Sequence, residues 1–126
     1  MSEPSFLTLP VEPDEGFPQS FRLAMGSYTY VFGFAVDIAE EALPDPVDGL
    51  ATTITLPRPG GYLVMTVVRD DGSGAGTTLL RRKVIPGLVY RAGELVLVVR
   101  SIRIALGNLH GAGSYRSELV AGVALR

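Results

Sequence analysis

The chain has 126 residues, of which 47% are hydrophobic, with a formal net charge of −2, 15 glycines, nine prolines and no cysteine. This length suits one domain with a single modest core, and the lack of cysteine excludes disulfides and thiolate metal sites. No charged and apolar leader opens the sequence, and no apolar run of about 18 residues could span a membrane, so we expect an unprocessed protein compatible with the cytoplasm.

Glycines and prolines divide the hydrophobic residues into short runs, which predicts an all-β fold. Residues 1–19 contain four prolines, and proline donates no ladder hydrogen bond, so this segment is predicted to be an extended arm with at most a short edge strand. Residues 20–36 alternate between apolar and other side chains on both sides of Gly26. This pattern predicts a β-hairpin with a type II′ turn.

The rest of the chain continues as strands and turns. Residues 37–49 hold several acids and prolines and predict an acidic, solvent-facing loop with one helical turn at 38–42. A glycine-rich loop at 107–113 precedes the last strand. The predicted strands of this part are residues 52–56, 62–68, 77–80, 95–106 and 115–125. About seven strands in all predict a small single-domain antiparallel β-barrel or β-sandwich over residues 20–126.

The charges are divided unevenly along the chain. Residues 1–57 contain nine acids and one base, for a net charge of −8, and residues 58–126 contain ten bases and four acids, for a net charge of +6. Such a division favours oriented electrostatic contacts, either within the molecule or between copies. The alternative is that early and late strands interleave and that their charges pair locally.

No segment has the residue pattern of a known metal-binding, phosphate-binding or catalytic motif. The Asp70–Gly76 segment has neither the ligand positions nor the flanking helices of a calcium loop, and its glycines precede a strand rather than the helix of a phosphate loop. His110, the one histidine, is predicted to be an exposed loop residue because no nucleophile elbow accompanies it. We therefore expect no catalytic residue, no metal and no cofactor, and a protein that is not an enzyme.

Arg81, Arg82 and Lys83 form the densest basic cluster in the sequence. Phosphate backbones are bound by several clustered cations, often with aromatic platforms, but the acidic pI of about 5.3 does not favour a dedicated nucleic-acid binder. We expect these residues to make an electrostatic contact with an acidic arm or loop of a neighbouring subunit, and we expect no specific nucleic acid and no membrane as partner.

Two stretches of the chain resemble the phage baseplate plug family, small tail proteins of tailed bacteriophages. The first is an extended, proline-containing arm at Phe6–Asp14, followed by a Phe strand at Phe21–Leu23, a glycine corner and a Tyr strand at Tyr28–Phe32. The second is the strand and turn Tyr62–Gly72, with the later segments Leu79–Leu80 and Gly93–Val98. The resemblance implies a structural virion component without catalysis, at the baseplate or distal tail tube, packed against tube, hub or baseplate proteins.

Two functions from different classes follow. The first is a virion structural protein, made in the host cytoplasm and repeated in a homo-oligomeric ring, whose arm contacts a neighbour through Phe6, Leu7 and Leu9. The second is a stand-alone ligand-binding β-barrel with Tyr28, Tyr30 and Tyr62 around a pocket. Aromatic residues in small barrels usually belong to the core, which favours the first.

Overall fold

Nine β-strands form two antiparallel sheets in the computed structural model of the chain, which describes residues 5–45, 47, 49–72 and 76–126. The described residues also include four 3₁₀ turns, at Pro13–Glu15, Glu40–Ala42, Gly49–Ala51 and Leu106–Asn108. The strands are β1 (Leu7–Thr8), β2 (Gln19–Met25), β3 (Tyr28–Ile38), β4 (Thr53–Thr55), β5 (Gly61–Asp70), β6 (Thr77–Lys83), β7 (Val89–Ala92), β8 (Leu95–Ala105) and β9 (Glu118–Leu125).

The predicted all-β class is confirmed, and the short strands β1 and β7 raise the number of strands above the expected seven. Within the described ranges, no helix is long and apolar enough to cross a membrane.

The two sheets have different strand orders. Sheet 1 has the order β1-β9-β8-β4. Two short strands pair with the same edge of β8: β7 with its first residues and β4 with its last. Sheet 2 has the order β2-β3-β5-β6, so β5 is an interior strand. The nearly continuous apolar run 62–68 predicted a central or doubly covered strand, and β5 is central.

The core lies between the sheets and is built from alternate residues of each strand, because successive side chains of a strand point to opposite faces. In sheet 2, Tyr30, Phe32 and Phe34 of β3 are almost fully buried, and the ring of Phe21 stacks on that of Phe32 with centroids 5.6 Å apart. In sheet 1, Leu95, Leu97 and Val99 of β8 belong to this core, and Val96 and Val98 between them are also buried, on the opposite face of the strand. Side chains of both sheets belong to one continuous hydrophobic cluster.

Two hairpins turn at glycines, and the first of these is the corner at Gly26 that the sequence predicts. Gly26 connects β2 to β3 with a φ of +59°, and Gly93 connects β7 to β8 with a φ of +58°. In each two-residue loop only the first residue has a positive φ, which is the type II′ geometry that matches the twist of paired strands. Glycine adopts this backbone conformation without a steric penalty.

Residues 7–17 pack onto the β domain. β1 pairs with β9, and the Leu9 amide donates a hydrogen bond to the Ala121 carbonyl at 2.9 Å. Leu9, Val11 and Phe17 are buried in the common core. The predicted boundary between an arm (1–19) and a β domain (20–126) therefore does not separate two units here, because the described part of the arm supplies an edge strand and core side chains. Residues 1–4 lie outside the described ranges.

A buried asparagine joins this N-terminal segment to the glycine-rich loop. The Asn108 side-chain amide donates to the carbonyl oxygens of Asp14, Gly111 and Gly113 at 3.0–3.2 Å, and its Oδ1 accepts a hydrogen bond from the Ser117 hydroxyl at 2.6 Å. The Asp14 carboxylate also accepts the backbone N–H of Ser117 at 2.9 Å. Because every polar atom of this buried side chain has a partner, the network favours one arrangement of the loop.

We expect Gly16→Ala to destabilise the domain, because the Gly16 φ is +83° and an added Cβ would lie 1.9 Å from the carbonyl oxygen of Gly111. The Gly16 ψ of 177° completes a backbone conformation that is essentially open to glycine only, and another residue there costs about 1–3 kcal/mol, to which overpacking adds about 1–3 kcal/mol. The free energy of unfolding in urea should therefore fall by about 2–6 kcal/mol.

Gly87→Ala is the matched control, because its φ is +84° and no atom lies within 4 Å of an added Cβ. Its loss should be limited to the backbone cost of about 1–2 kcal/mol. Equal losses in the two variants would contradict the steric contact between Gly16 and the glycine-rich loop.

Candidate functional site

The three predicted contact residues of the N-terminal segment differ in exposure. Leu9 is only 3% exposed and packs in the chain's own core, which corrects its predicted role as a partner contact. Phe6 is half-buried beside β9, and an added Cβ on Gly122 would lie 3.0 Å from its Cβ. Leu7 is 58% exposed. Of the three, Leu7 alone presents a large apolar surface to the outside.

The basic cluster Arg81, Arg82 and Lys83 lies at the end of β6, an edge strand of sheet 2. All three side chains are exposed, and the Lys83 Nζ lies 4.2 Å from the centroid of the Tyr62 ring. Asp37 shares a shallow depression with them, but none of the three forms an ion pair with a described residue. Cations on an edge strand oppose pairing with another sheet edge, so the cluster protects β6 from edge-to-edge aggregation. Its charges also remain available for an acidic partner.

The chain after β6 continues as an exposed apolar bend, and we name Arg81–Val89 the basic ridge. Ile85, Leu88 and Val89 are 56%, 49% and 54% exposed. Three apolar side chains thus follow three cations along one continuous stretch of chain. Surface leucines and valines are ordinary when single, but a group of them marks a contact surface.

Hydrogen bonds hold the basic ridge in place from beneath. The Tyr90 hydroxyl accepts the N–H of Ile85 at 2.8 Å and donates to the Lys83 carbonyl at 3.2 Å. The Gly87 amide donates to the Val99 carbonyl of β8 at 2.7 Å. The ridge is therefore a preformed surface that bridges the edges of the two sheets.

A second exposed apolar surface is a cleft of about 650 Å³ where the predicted acidic loop meets the glycine-rich loop. We name it the acidic cleft. Its polar lining side chains are Glu40 and His110, and its apolar lining side chains are Ile38, Leu43, Pro44, Leu50, Leu106 and Leu109. The lining residues come from two stretches about 60 residues apart in the sequence, which explains why no local pattern predicts the cleft.

The surroundings of the acidic cleft are negatively charged and apolar. Glu41 and Asp45 are exposed on the same loop as Glu40, and Val47 is 86% exposed. Arg58 lies on the neighbouring turn but forms no ion pair with a described residue. Pro46 and Asp48 of the predicted acidic loop lie outside the described residues. The predicted helical turn corresponds to the 3₁₀ turn Glu40–Ala42.

One ion pair of the described residues joins the two halves of the chain, and it uses the single base of residues 1–57. The ion pairs of the described residues join Arg22 to Asp70 at 2.7 Å, Arg69 to Glu94 at 2.9 Å, and Arg103 to Glu118 at 3.6 Å. The first of them links the two halves, since Arg22 belongs to residues 1–57 and Asp70 to residues 58–126. Local pairing between early and late strands is therefore present at this site, whereas the other two ion pairs each join residues of the later half.

The residues considered for catalysis or metal binding have structural surroundings. Asp70 Oδ1 accepts the N–H of Gly72 at 2.8 Å and Oδ2 accepts a hydrogen bond from Arg22 at 2.7 Å, and these contacts lower the pKa of the Asp70 carboxyl. The Ser73–Ala75 part of this turn lies outside the described residues. His110 is exposed on the cleft wall. Across the described ranges, no three His, Cys, Asp or Glu side chains could hold a metal ion together.

The three tyrosines proposed to surround a ligand do not converge. Tyr30 is buried in the core, Tyr28 is 45% exposed at the start of β3, and Tyr62 lies on the outer face of sheet 2 beside Lys83. A pocket formed by these three side chains is therefore excluded, because β5 directs Tyr62 away from the face on which Tyr30 lies.

Tyr30 instead belongs to a polar cluster that joins the two sheets. Its hydroxyl donates to Glu94 Oε1 in the β7–β8 turn, and Arg69 Nη1 of β5 donates to Glu94 Oε2 at 2.9 Å. The Arg69 guanidinium carbon also lies 4.8 Å from the centroid of the Tyr28 ring. Burial, followed by the hydrogen bond to Glu94, raises the pKa of Tyr30 to about 12. Hydrogen bonds from Tyr30 and Arg69 lower the pKa of Glu94.

The raised pKa of Tyr30 predicts a loss of stability at high pH. Below pH 10.0, its ordinary value, the phenol is neutral in both the folded and the unfolded chain, so its contribution is fully present. Between that pH and about 12 the unfolded chain ionises first, and the free energy of unfolding should decrease.

Urea denaturation over this pH range should show a shallower decrease for Tyr30→Phe than for the wild type. Tyr115→Phe, which removes a hydroxyl outside the cluster, should keep the wild-type slope. Identical slopes for the wild type and Tyr30→Phe would refute the assignment.

No protein-family model matches the chain, and no curated protein or solved structure is significantly similar to it. The basic ridge and the acidic cleft are therefore interpreted from their own chemistry: two exposed apolar surfaces of opposite charge on one rigid β domain.

Proposed function

We propose that this chain is a non-catalytic structural component of a bacteriophage tail, in the baseplate or distal tail tube region. It would be made in the host cytoplasm and assemble there with tube, hub or neighbouring baseplate proteins. The observation that carries an assembly role is the pair of exposed apolar surfaces with opposite charge, the basic ridge and the acidic cleft. Contiguous exposed apolar surface with a charged margin is typical of sites of protein association.

The assignment to a phage tail rests on the sequence resemblance. The order of elements that it implies is a proline-containing segment, a Phe strand, a glycine corner and a Tyr strand, and the chain has Pro10 and Pro13 after β1, followed by β2, Gly26 and β3. This order supports the proposal.

The N-terminal segment is not a free arm, so the partner contacts are expected elsewhere on the domain. Leu9, Val11 and Phe17 belong to the core, so removal of residues 1–19 would destabilise the domain itself. A truncated chain that failed to enter particles would therefore carry no information about partner contacts. Loops positioned by the rigid sandwich are the better candidates, since loops on a scaffold commonly carry binding residues.

The test of the proposed function is deletion of the gene from the tailed phage that carries it, followed by electron microscopy of the particles. We expect the deletion to give particles with absent or incomplete tails, and a plasmid copy of the wild-type gene to restore them. Mass spectrometry of purified wild-type particles should detect the chain as a fixed component. Complete, infective tails without the chain would overturn the proposal.

The acidic cleft also favours a second candidate, the binding of a small apolar ligand. Its volume of about 650 Å³ lies in the range of small-molecule sites, and Glu40 and His110 supply polar groups at its wall. This site replaces the tyrosine pocket that the fold excludes. It lies outside the packed core, at one end of the two sheets.

Binding of the neutral dye Nile red to dilute protein tests this candidate. We expect dye fluorescence to increase in the presence of the wild type and to decrease for Leu50→Arg, which places a charge in the cleft lining. Leu7→Arg, an equally exposed leucine on β1, should keep the wild-type signal. Equal signals from the two variants would exclude a ligand site in the cleft.

A further inference from the structure

We propose that the basic ridge of one copy of this chain docks in the acidic cleft of a second copy. The inference rests on the proposed structural function and names its first partner, the chain itself. It follows from the chemistry of two surfaces that lie on the same molecule and complement each other.

The first step is chemical complementarity. The ridge presents Ile85, Leu88 and Val89, each about half exposed, directly after its three cations. The cleft offers an apolar lining with Glu40 at its wall and Glu41 beside it. Apolar side chains entering the cleft would leave water together with its leucines, while opposite charges at the margin would orient the contact.

The second step is that the charged side chains of the two surfaces are not paired with each other within one copy. None of Glu40, Glu41, Arg81 and Arg82 forms an ion pair with a described residue. The ridge residues do not line the cleft, so a single copy does not cover its own apolar surface. An unlike pair of surfaces on each copy makes a head-to-tail contact, which produces a closed ring when the rotation between copies closes.

The third step is preorganisation. The Tyr90 hydroxyl bonds the backbone at both Ile85 and Lys83, and the Gly87 amide is bonded to β8. A segment already held in shape loses less conformational entropy on binding than a free arm would. The network of Asn108 holds the loop that forms one wall of the cleft in the same way.

The mass of the purified full chain, measured by light scattering over a range of concentrations, tests the proposal first. At about 0.05 M salt we expect a multiple of 13.4 kDa, and at about 1 M salt a mass closer to one chain, because the Debye length falls to about 3 Å. A mass of one chain at every concentration and salt level would overturn the proposal.

Charge reversal then locates the contact. E40R/E41R and R81E/R82E should each weaken self-association by about tenfold or more, because each variant places like charges in opposition. A mixture of the two variants should assemble again: the acidic cleft of one accepts the basic ridge of the other, and the reversed surfaces are also complementary. Failure of the mixture to assemble would overturn the ridge-to-cleft contact.

R91E/R100E is the matched control, because it reverses two exposed cations that lie outside the ridge and form no ion pair with a described residue. It should associate as the wild type does, and an equal weakening would show that net charge rather than the ridge governs association. If a reversal variant fails to fold, as judged by urea denaturation, the neutral pairs E40Q/E41Q and R81Q/R82Q replace it, and wild-type association of both would also overturn the proposal.

The test of self-association and the test of the proposed function can fail independently of each other. Self-association is measured on the purified chain alone, whereas the gene deletion measures whether tails need the chain. A monomer that is essential for tails would refute only the ridge-to-cleft contact, with another tail protein as the occupant of the cleft. An oligomer that is dispensable for tails would refute only the structural role.

Discussion

The hydrogen bonds of the buried Asn108 amide hold the glycine-rich loop and the N-terminal segment together, and the exposed surfaces at this end of the domain depend on them. Residues of this loop and the preceding turn, including Leu106, Leu109 and His110, form one wall of the acidic cleft. Gly16 allows the two segments to approach, because no side chain fits between it and Gly111. A buried polar side chain with all its partners present favours a single arrangement, since any other leaves hydrogen bonds unmade.

Charged residues have two distinct roles in this molecule. In the cluster of Tyr30, Arg69 and Glu94, the charges satisfy each other and hold the two sheets together at one edge. In the basic ridge and around the acidic cleft, the charges have no described ion-pair partner and lie beside exposed apolar side chains. The first arrangement stabilises the fold, and the second leaves charged and apolar side chains available for contact with a partner. This difference, rather than the net charge of −2, makes the molecule suited to assembly.

Much of the fold could be predicted because strand periodicity is a local property. The alternation around Gly26 correctly predicted the hairpin of β2 and β3, and the apolar run 62–68 correctly indicated an interior strand. The prolines of the first 19 residues led to the prediction of an arm, because proline is excluded from central strands. Proline does not prevent neighbouring side chains from entering a core, however, and Leu9 and Phe17 do so.

The candidate site could be predicted only in part. The basic half of the contact was visible as Arg81, Arg82 and Lys83, because these residues are consecutive. The cleft was not visible, because Leu50 and Leu106 come together only when two distant loops meet at one end of the sheets. The short strand β7 was missed for a related reason: four residues after a Pro-Gly bend show too little alternation to identify a strand.

The sequence by itself determined the all-β class, the glycine corner of the first hairpin and the opposite charges of its two halves, since each of these depends on residue type and local spacing. Only the tertiary structure decided that the N-terminal segment joins the core, that Tyr30 joins the sheets rather than lining a pocket, and that an apolar cleft opens beside acidic residues. Those outcomes depend on which distant strands pair and how their loops pack. Such contacts join residues far apart in the sequence, so no single stretch of the chain determines them.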